Sequence, residues 1–319
     1  LKYIITDNRY LNFSVGNYHQ FISTFQDDFN PSILDNWIAA DTSVSPGKSM
    51  QVVLGYEEYI KNMYKIQVEG YYKDLKNLLT YEEKRSTTDA QVSDESLANI
   101  VTPADGYAYG LELFGQKMSG KLSGWVAYTY SVSRKIMNSI YADGEQEYYT
   151  NWDRTHAFSV LGNYQFNKKW ETNWRFALQS GQAYTPIMGY YVQKFPESPE
   201  ELFRTIPGTR NSGRYEPYSR LDVGAVYHAK IGKTNVDFFF QIINTLNRSN
   251  TFTKIYSLGS PYNGLDDDGD WDKDLHDTNG NGRADPGETN VDESDEGKIN
   301  ERSIGLFPIL PTFGFTWEF

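Results

Sequence analysis

The chain contains 319 residues, of which 16% are aromatic, and carries a net charge of −12. The absence of cysteine excludes a disulfide scaffold, a thiolate metal site and a cysteine nucleophile. No apolar run approaches the roughly 18 residues that a membrane-spanning helix needs. An acidic chain also lacks the basic face that phosphate binding requires, so we expect no nucleic acid partner.

Two-residue periodicity dominates the chain, as expected of β-strands with one apolar and one polar face. Between residues 64 and 73, tyrosine, isoleucine and valine alternate with lysine, glutamine and glutamate, and the segments 122–132, 170–179 and 234–243 repeat this pattern. The pattern predicts eleven strands, at 1–5, 10–20, 49–59, 62–77, 105–118, 121–134, 155–166, 169–181, 218–229, 233–243 and 308–319.

The connections between these strands alternate in length. Tight turns are predicted near residues 7–8, 60–61, 119–120, 167–168 and 232, and long links at 21–48, 78–104, 135–154, 182–217 and 244–307. This alternation is typical of a transmembrane antiparallel β-barrel with periplasmic turns and long extracellular loops. A soluble sandwich or propeller is the alternative, but aromatic residues near the strand ends and charges on the polar faces favour a barrel in the outer membrane.

The ends of the chain predict an incomplete barrel. The last residues, PTFGFTWEF (311–319), alternate apolar positions and finish on an aromatic, which is similar to the closing-strand signal of outer-membrane barrels. Because such a strand descends to the periplasm, counting backwards makes residues 1–5 the lower end of a descending strand. Bacterial barrels have an even number of strands with both ends periplasmic. We therefore expect the C-terminal part of a larger barrel, about 10–11 strands long.

The ordered segments resemble the C-terminal half of a TonB-dependent outer-membrane receptor of the type abundant in Bacteroidetes-like bacteria. The similarity is carried by SVGNYHQF (14–21), PGKSMQVVLGYE (46–57), YKIQVEGYYKDLKNLL (64–79), GYAYGLELF (106–114), GWVAYTYSVSR (124–134), WDRTHAFSVLGNYQF (152–166), FALQSGQAYTP (176–186), YSRLDVGAVY (218–227), FQIINTLNRSN (240–250) and the PTFGFTWEF end.

This resemblance implies a 22-stranded barrel closed by an N-terminal plug domain, which imports a scarce nutrient with energy from the TonB complex. The implied partners are outer-membrane lipids, the N-terminal barrel and plug portion, the TonB complex acting through the plug, and a small nutrient ligand. In this bacterial group the resemblance also allows a surface lipoprotein as a lid. No plug and no TonB box occur in residues 1–319, so either the remainder is not included or it is a separate chain.

An acidic insertion, residues 262–300, accounts for most of the net charge. Thirteen Asp or Glu residues stand between positions 266 and 296, against two basic residues. Within it, residues 277–288 match the twelve-residue calcium loop, with oxygen donors at positions 1, 3, 5, 9 and 12 and glycine at position 6. The predicted Ca²⁺ ligands are Asp277, Asn279, Asn281, Arg283 through its backbone carbonyl, Asp285 and Glu288. The alternative is a solvated acidic loop without metal.

The sequence favours no catalytic site. The four histidines lie on separate strands or loops, and no HExxH, GxSxG or P-loop pattern occurs. Charged residues on the polar strand faces are predicted to form a network in the barrel lumen: Lys65, Glu69, Glu171, Arg175, Asp222 and Asp237. The favoured function is import by a TonB-dependent receptor. The alternatives are a calcium-stabilised soluble or cell-surface binding or adhesion protein, and a passive porin.

Overall fold

The computed structural model describes residues 1–25, 36–42, 44–81, 101–138, 144–194, 201–258, 272–283 and 299–318. Asp285 and Glu288, two of the predicted calcium ligands, lie outside these residues. The chain divides into two compact units, which are described separately. Unit 1 comprises Leu1–Pro186, Gly208–Asn250 and Phe307–Phe319, and unit 2 comprises Ile187–Pro207 and Thr251–Leu306.

The described residues form twenty strands and one short helix. In chain order these are β1 Lys2–Thr6, β2 Arg9–Gln20, β3 Ile22–Phe25, β4 Asn36–Ala39, β5 Gly47–Ile60, β6 Tyr64–Tyr81, β7 Val101–Lys117, β8 Leu122–Asn138, β9 Glu145–Tyr149, β10 His156–Gln165, β11 Trp170–Gln179, β12 Ala183–Tyr184, β13 Ile187–Lys194, β14 Glu201–Pro207, β15 Gly213–Arg214, β16 Tyr218–Ile231, β17 Thr234–Ile243, β18 Thr251–Leu258, α1 Lys273–His276, β19 Ile299–Gly305 and β20 Leu310–Glu318.

Unit 1 is built on one large antiparallel sheet. Its strands follow the order β1-β2-β5-β6-β7-β8-β10-β11-β16-β17-β20, and β9 pairs with β8 beyond this path. All eleven strands on the path correspond to the eleven predicted segments, so the predicted all-β antiparallel fold class is confirmed. Each of the edge strands β1 and β20 pairs with a single neighbour among the described residues.

The predicted alternation of connections is also confirmed. Turns of two to four residues join β1 to β2, β5 to β6, β7 to β8, β10 to β11 and β16 to β17, and we name this edge of the sheet the turn end. In the last of these turns Gly232 has φ +63°, a left-handed conformation that glycine adopts at little cost. The long links connect the strands at the opposite edge, which we name the loop end.

The links contain more secondary structure than the sequence predicts. The short strands β3, β4, β9, β12 to β15, β18 and β19 all lie in segments that we expected to be loops. The 244–307 link, for example, contains the pair β18–β19. Extended links pair in this way because backbone N–H and C=O groups need hydrogen-bond partners wherever water is displaced.

The pairing register separates two faces of the sheet. On one face, which we name the outer face, Val15, Val52, Tyr72, Tyr109 and Val132 follow one another across five strands. We name the opposite face the inner face. On the inner face, three residues away along each strand, the row passes through Gly55, Glu69, Glu112 and Thr129. The outer row consists of large apolar or aromatic side chains, and the inner row is polar. The predicted alternation of faces is therefore confirmed.

On the outer face, an aromatic ring packs over a glycine of the neighbouring strand. Gly162 pairs with Trp174, and a Cβ atom at residue 162 would lie 2.2 Å from Trp174 Cζ2. The indole therefore occupies the space that any larger side chain on β10 would need. Gly110 and Tyr71 show the same arrangement on the inner face, at 2.7 Å.

Unit 2 consists of two antiparallel strand pairs, β13–β14 and β18–β19, together with α1. Within the described parts of the chain, no helix is both long and apolar enough to span a membrane.

Candidate functional site

At the loop end of unit 1, an aromatic ring lies between two arginines. The guanidinium carbon of Arg134 on β8 is 3.5 Å from the centroid of the Tyr149 ring, and that of Arg214 on β15 is 4.3 Å from it. Cations attract the faces of aromatic rings, most strongly where water is partly excluded. Tyr149 thus joins the β8–β9 pair to the link that precedes β16.

An ion pair strengthens the same junction. Arg214 Nη2 donates to Asp153 Oδ2 over 2.6 Å, and Ser133 N donates to Asp153 Oδ1 over 2.7 Å. The Asp153 side chain is 1% exposed. A carboxylate so deeply buried is stable only when charged and polar donors surround it, so Arg214 and Ser133 fix the turn before β10.

A second arginine lies buried on the inner side of the loop end. Arg210 Nη1 donates to Thr80 Oγ1 over 2.9 Å and to Tyr148 OH over 3.2 Å, beside the small apolar cluster that contains Ala104 and Met137. The link before β16 is thereby anchored to the ends of β6, β8 and β9. Arg210 therefore fixes one point of the 182–217 link against the described strand ends of unit 1.

Arg154 differs from Arg214, which pairs with Asp153, and from Arg134, which lies 3.5 Å from Glu147, because its side chain meets no carboxylate among the described residues. Its guanidinium donates through Nη1 to Gln179 Oε1 and lies 5.9 Å from the Tyr218 ring centroid. Burial lowers the pKa of Arg154 below its ordinary value, since desolvation disfavours the charged form. A partly buried cation with neutral neighbours is suited to receive an anion.

Two further arginines lie on the inner face below Arg154. Arg175 on β11 stands directly opposite Asp222 on β16, and Arg220 Nε donates to Asp222 Oδ1 over 2.7 Å. Asp222 also accepts from Asn244 N over 2.9 Å. Arg175 and Arg220 thus share one carboxylate, so two guanidiniums face a single negative charge on this part of the inner face.

The predicted lumen network separates into local groups in the structure. Lys65 pairs with Glu57 over 3.2 Å, and His228 lies between Asp237, at 2.8 Å, and Glu171, at 3.9 Å. Both groups lie near the turn end on the inner face. The inward placement of these residues agrees with the sequence, whereas their separate pairing partners could not be predicted from it.

The described part of the predicted calcium loop, residues 277–283, lies in unit 2. Asp277 Oδ1 accepts from Gly280 N over 2.6 Å, and Asp277 Oδ2 accepts from Gly282 N over 2.7 Å. Asn281 Oδ1 accepts from Arg283 N over 2.8 Å, and Asn279 Oδ1 accepts from Asn281 N over 3.0 Å. These bonds wrap the backbone around the side-chain oxygens at positions 1, 3 and 5.

The backbone at the sixth position of the motif also fits a calcium loop. Gly282 has φ +75°, as the sharp reversal of such a loop requires. Oxygen donors with this spacing suit the hard cation Ca²⁺. Within the described segments, no group of three or more His, Asp or Glu residues is placed to hold a metal ion. The acidic ligands at positions 9 and 12, Asp285 and Glu288, belong to the residues that lie outside these segments.

Comparisons with protein-family models and with curated proteins found no match. Among solved structures, the chain is similar to the ferripyoverdine receptor of the outer membrane of Pseudomonas aeruginosa, with 13% identity over 78% of this chain and 29% of that one and a TM-score of 0.47. The FrpB iron transporter from Neisseria meningitidis is 13% identical over 78% and 34% of the two chains, with a TM-score of 0.44.

The siderophore receptor PirA from Acinetobacter baumannii is 11% identical to this chain, with a TM-score of 0.46. The similarity covers 78% of this chain and 36% of the PirA chain. This chain therefore spans about a third of the length of these neighbours. Since the identities and TM-scores are low, the fold assignment rests on the strand pairing described above.

Sequence reasoning named neither Arg210 nor Arg214 as a functional residue. Both lie in the 182–217 link, which the sequence predicted only as a long extracellular loop. Their partners Thr80 and Asp153 are 130 and 61 residues away in the sequence. Contacts over such separations leave no local pattern, so the pairing of β8 with β9 and β10 was needed to find them.

Proposed function

We propose that this chain forms the C-terminal part of the wall of an outer-membrane β-barrel that imports a small nutrient. The observation that carries the proposal is the outer face of the sheet, on which large apolar side chains remain exposed from β1 to β20. Examples at the two edges and the centre are Tyr3, Leu113 and Phe313. Exposed apolar patches of this extent mark a surface that another apolar phase covers, and lipid is the covering that an alternating antiparallel sheet fits.

The soluble alternative, a calcium-stabilised binding or adhesion protein, explains this surface less well. A second sheet packed on the inner face would bury the Lys65–Glu57 and His228–Asp237 groups and still leave the outer face in water. Packing on the outer face would instead require a partner that covers eleven strands. A membrane accommodates both faces, because the inner one borders a wet lumen.

The finer features of the proposal come from the sequence resemblance. The free sides of β1 and β20 would pair with further strands of a barrel, 22 in all, with a plug inside it and the TonB complex as the energy source. In this arrangement the turn end faces the periplasm and the loop end faces outwards. A surface lipoprotein could cover the loop end in a receptor of the Bacteroidetes-like type.

The loop end is the proposed site of nutrient binding. Arg154, Arg175 and Arg220 offer charge-assisted hydrogen bonds, and Tyr218 offers aromatic surface beside Arg154. These groups favour a ligand that carries carboxylate, phosphate or comparable anionic groups. The acidic insertion of residues 262–300 is proposed to bind Ca²⁺ through the 277–288 loop and to stiffen the link between β17 and β20, which is supported by the oxygen geometry of residues 277–281.

Fractionation and epitope labelling of cells that produce the protein test its placement in the outer membrane. The protein should fractionate with the outer membrane, require detergent for extraction and migrate differently on gels before and after heating. An epitope inserted in the 82–100 link should be labelled on intact cells, and one inserted at residues 61–63 only after permeabilisation. A monodisperse protein released without detergent would contradict the proposal, as would labelling of both epitopes on intact cells.

Import itself is tested by deletion of the gene. Cells without the protein should grow poorly on one limiting nutrient, and the intact gene should restore growth. Arg154→Gln should restore it incompletely, because the protein would still assemble while binding its anionic ligand more weakly.

A further inference from the structure

Four of the five tight turns at the turn end are unusually basic, the exception being the β1–β2 turn, which contains Asp7. The segments 60–64, 117–122, 166–170 and 230–234 together contain seven lysines and no Asp or Glu. These segments form the turns of the hairpins β5–β6, β7–β8, β10–β11 and β16–β17. The hairpins stand next to one another in the sheet, so successive turns are two strands apart, about 10 Å. We name this row of lysines the lysine rim.

Two carboxylates on β5 near the turn end have other partners. Glu57 pairs with Lys2 and Lys65, and Glu58 pairs with Arg9. Six rim lysines are exposed and the seventh, Lys117, is half-buried, and none of the seven forms an ion pair with any residue that the structure describes. The rim therefore presents a row of cations that the described chain leaves uncompensated.

Each of these turns also exposes large apolar side chains. Ile60 and Tyr64 are exposed in the first turn and Met118 and Leu122 in the second. Phe166 and Trp170 are exposed in the third turn, and Ile231 in the fourth. Lysine beside an exposed aromatic or aliphatic side chain is the composition of a membrane–water interface, where the apolar part meets acyl chains and the ammonium meets headgroups.

We infer that the lysine rim binds the headgroups of anionic phospholipids. The inference rests on the proposed placement of the barrel in a membrane. An acidic protein would satisfy the cations but not the apolar side chains that accompany them in every turn. A negatively charged lipid surface satisfies both, and it spreads its charge along a row as the rim does.

The test measures which lipids stay with the protein. The full-length protein is reconstituted in bilayers of phosphatidylcholine mixed with phosphatidylglycerol, extracted with its nearest lipids in a styrene–maleic acid polymer, and analysed for lipid composition by mass spectrometry. We expect phosphatidylglycerol to be enriched several-fold over the bulk bilayer, since each lysine near the surface strengthens binding to an anionic bilayer about fivefold.

Charge variants locate the binding surface. The triple variant Lys61→Gln, Lys121→Gln and Lys168→Gln should lose most of the enrichment, and the triple Lys→Arg variant at the same positions should keep it. The matched control Lys48→Gln, Lys73→Gln and Lys76→Gln removes the same charge from the loop-end halves of β5 and β6. It should retain the enrichment of the unmodified protein.

Each outcome decides a separate point. Equal lipid composition around the protein and in the bulk bilayer would overturn the inference, as would equal losses in the rim and control variants. Heat-modifiable gel mobility is measured on every sample, so that a misfolded variant is recognised. A protein that does not enter bilayers at all would contradict the proposed function, whereas one that inserts without preference for phosphatidylglycerol would contradict the lysine rim alone.

Discussion

Arg214 and Asp153 form an ion pair of 2.6 Å in which the carboxylate is 1% exposed and the guanidinium 30% exposed. The pair joins two long links that the sequence separates by 61 residues. Arg214 also lies over Tyr149, whose opposite contact is Arg134. Charge and aromatic contacts thus hold this junction of the loop end, and its order should depend on single residues.

We expect Asp153→Asn to loosen the loop end. Removing one partner of a buried ion pair is costly, and after allowance for the exposed part of Arg214 we expect a loss of about 2 kcal/mol. The measurement is the midpoint of thermal unfolding in detergent, together with proteolysis of the 182–217 link. The control is Asp105→Asn, whose 2.7 Å pair with Lys76 is about half exposed and should matter little. Equal effects of the two substitutions would refute this account of the junction.

Substitution by glutamine should affect the stability of the protein differently at Arg154 and at Arg220. Arg154→Gln removes a partly buried cation with neutral neighbours, so the ligand-free protein should unfold at the same or a higher temperature while nutrient-limited growth slows. Arg220→Gln removes the guanidinium that donates to the buried Asp222 carboxylate and leaves Arg175 as its neighbouring cation, which should lower the stability by about 1–2 kcal/mol. A fall in stability for Arg154→Gln with unchanged growth would show that the residue is structural.

Gly162 should tolerate no larger side chain, because Trp174 occupies the space where its Cβ would stand. Overpacking of this kind costs about 1–3 kcal/mol, and we expect Gly162→Val to reduce assembly of the heat-modifiable form. Gly70 provides the control on the same face, since a Cβ there would meet nothing closer than the Gly110 oxygen at 4.0 Å. Gly70→Ala should assemble normally. If the double variant Gly162→Val with Trp174→Ala assembled no better than Gly162→Val, the contact would not be the cause.

The strands of the large sheet were predictable because one face carries mainly apolar side chains and the other mainly polar ones, which gives the sequence a two-residue period. Residues 64–73 show this directly, and the register of β6 with β5 and β7 follows from it. The short strands of the links lack alternation, since neither face of β13 or β18 is forced to be uniformly apolar. The arginines of the loop end were not predictable, because Thr80, Asp153 and Gln179 become their partners only when distant links fold together.

Calcium binding by the acidic insertion is the last prediction. Calorimetric titration of the purified protein with Ca²⁺ should show a saturable heat of binding. The double variant Asp277→Ala with Glu288→Ala should show no such heat. The control Asp274→Ala lies on α1, outside the twelve-residue motif, and should keep the binding isotherm, since an oxygen outside the required spacing cannot complete the coordination shell. Chelation of Ca²⁺ should make the 259–298 segment more sensitive to protease in the unmodified protein and leave the double variant unaffected. Absence of saturable heat in the unmodified protein would favour the alternative of a solvated acidic loop, in which thirteen carboxylates repel one another without a bound ion.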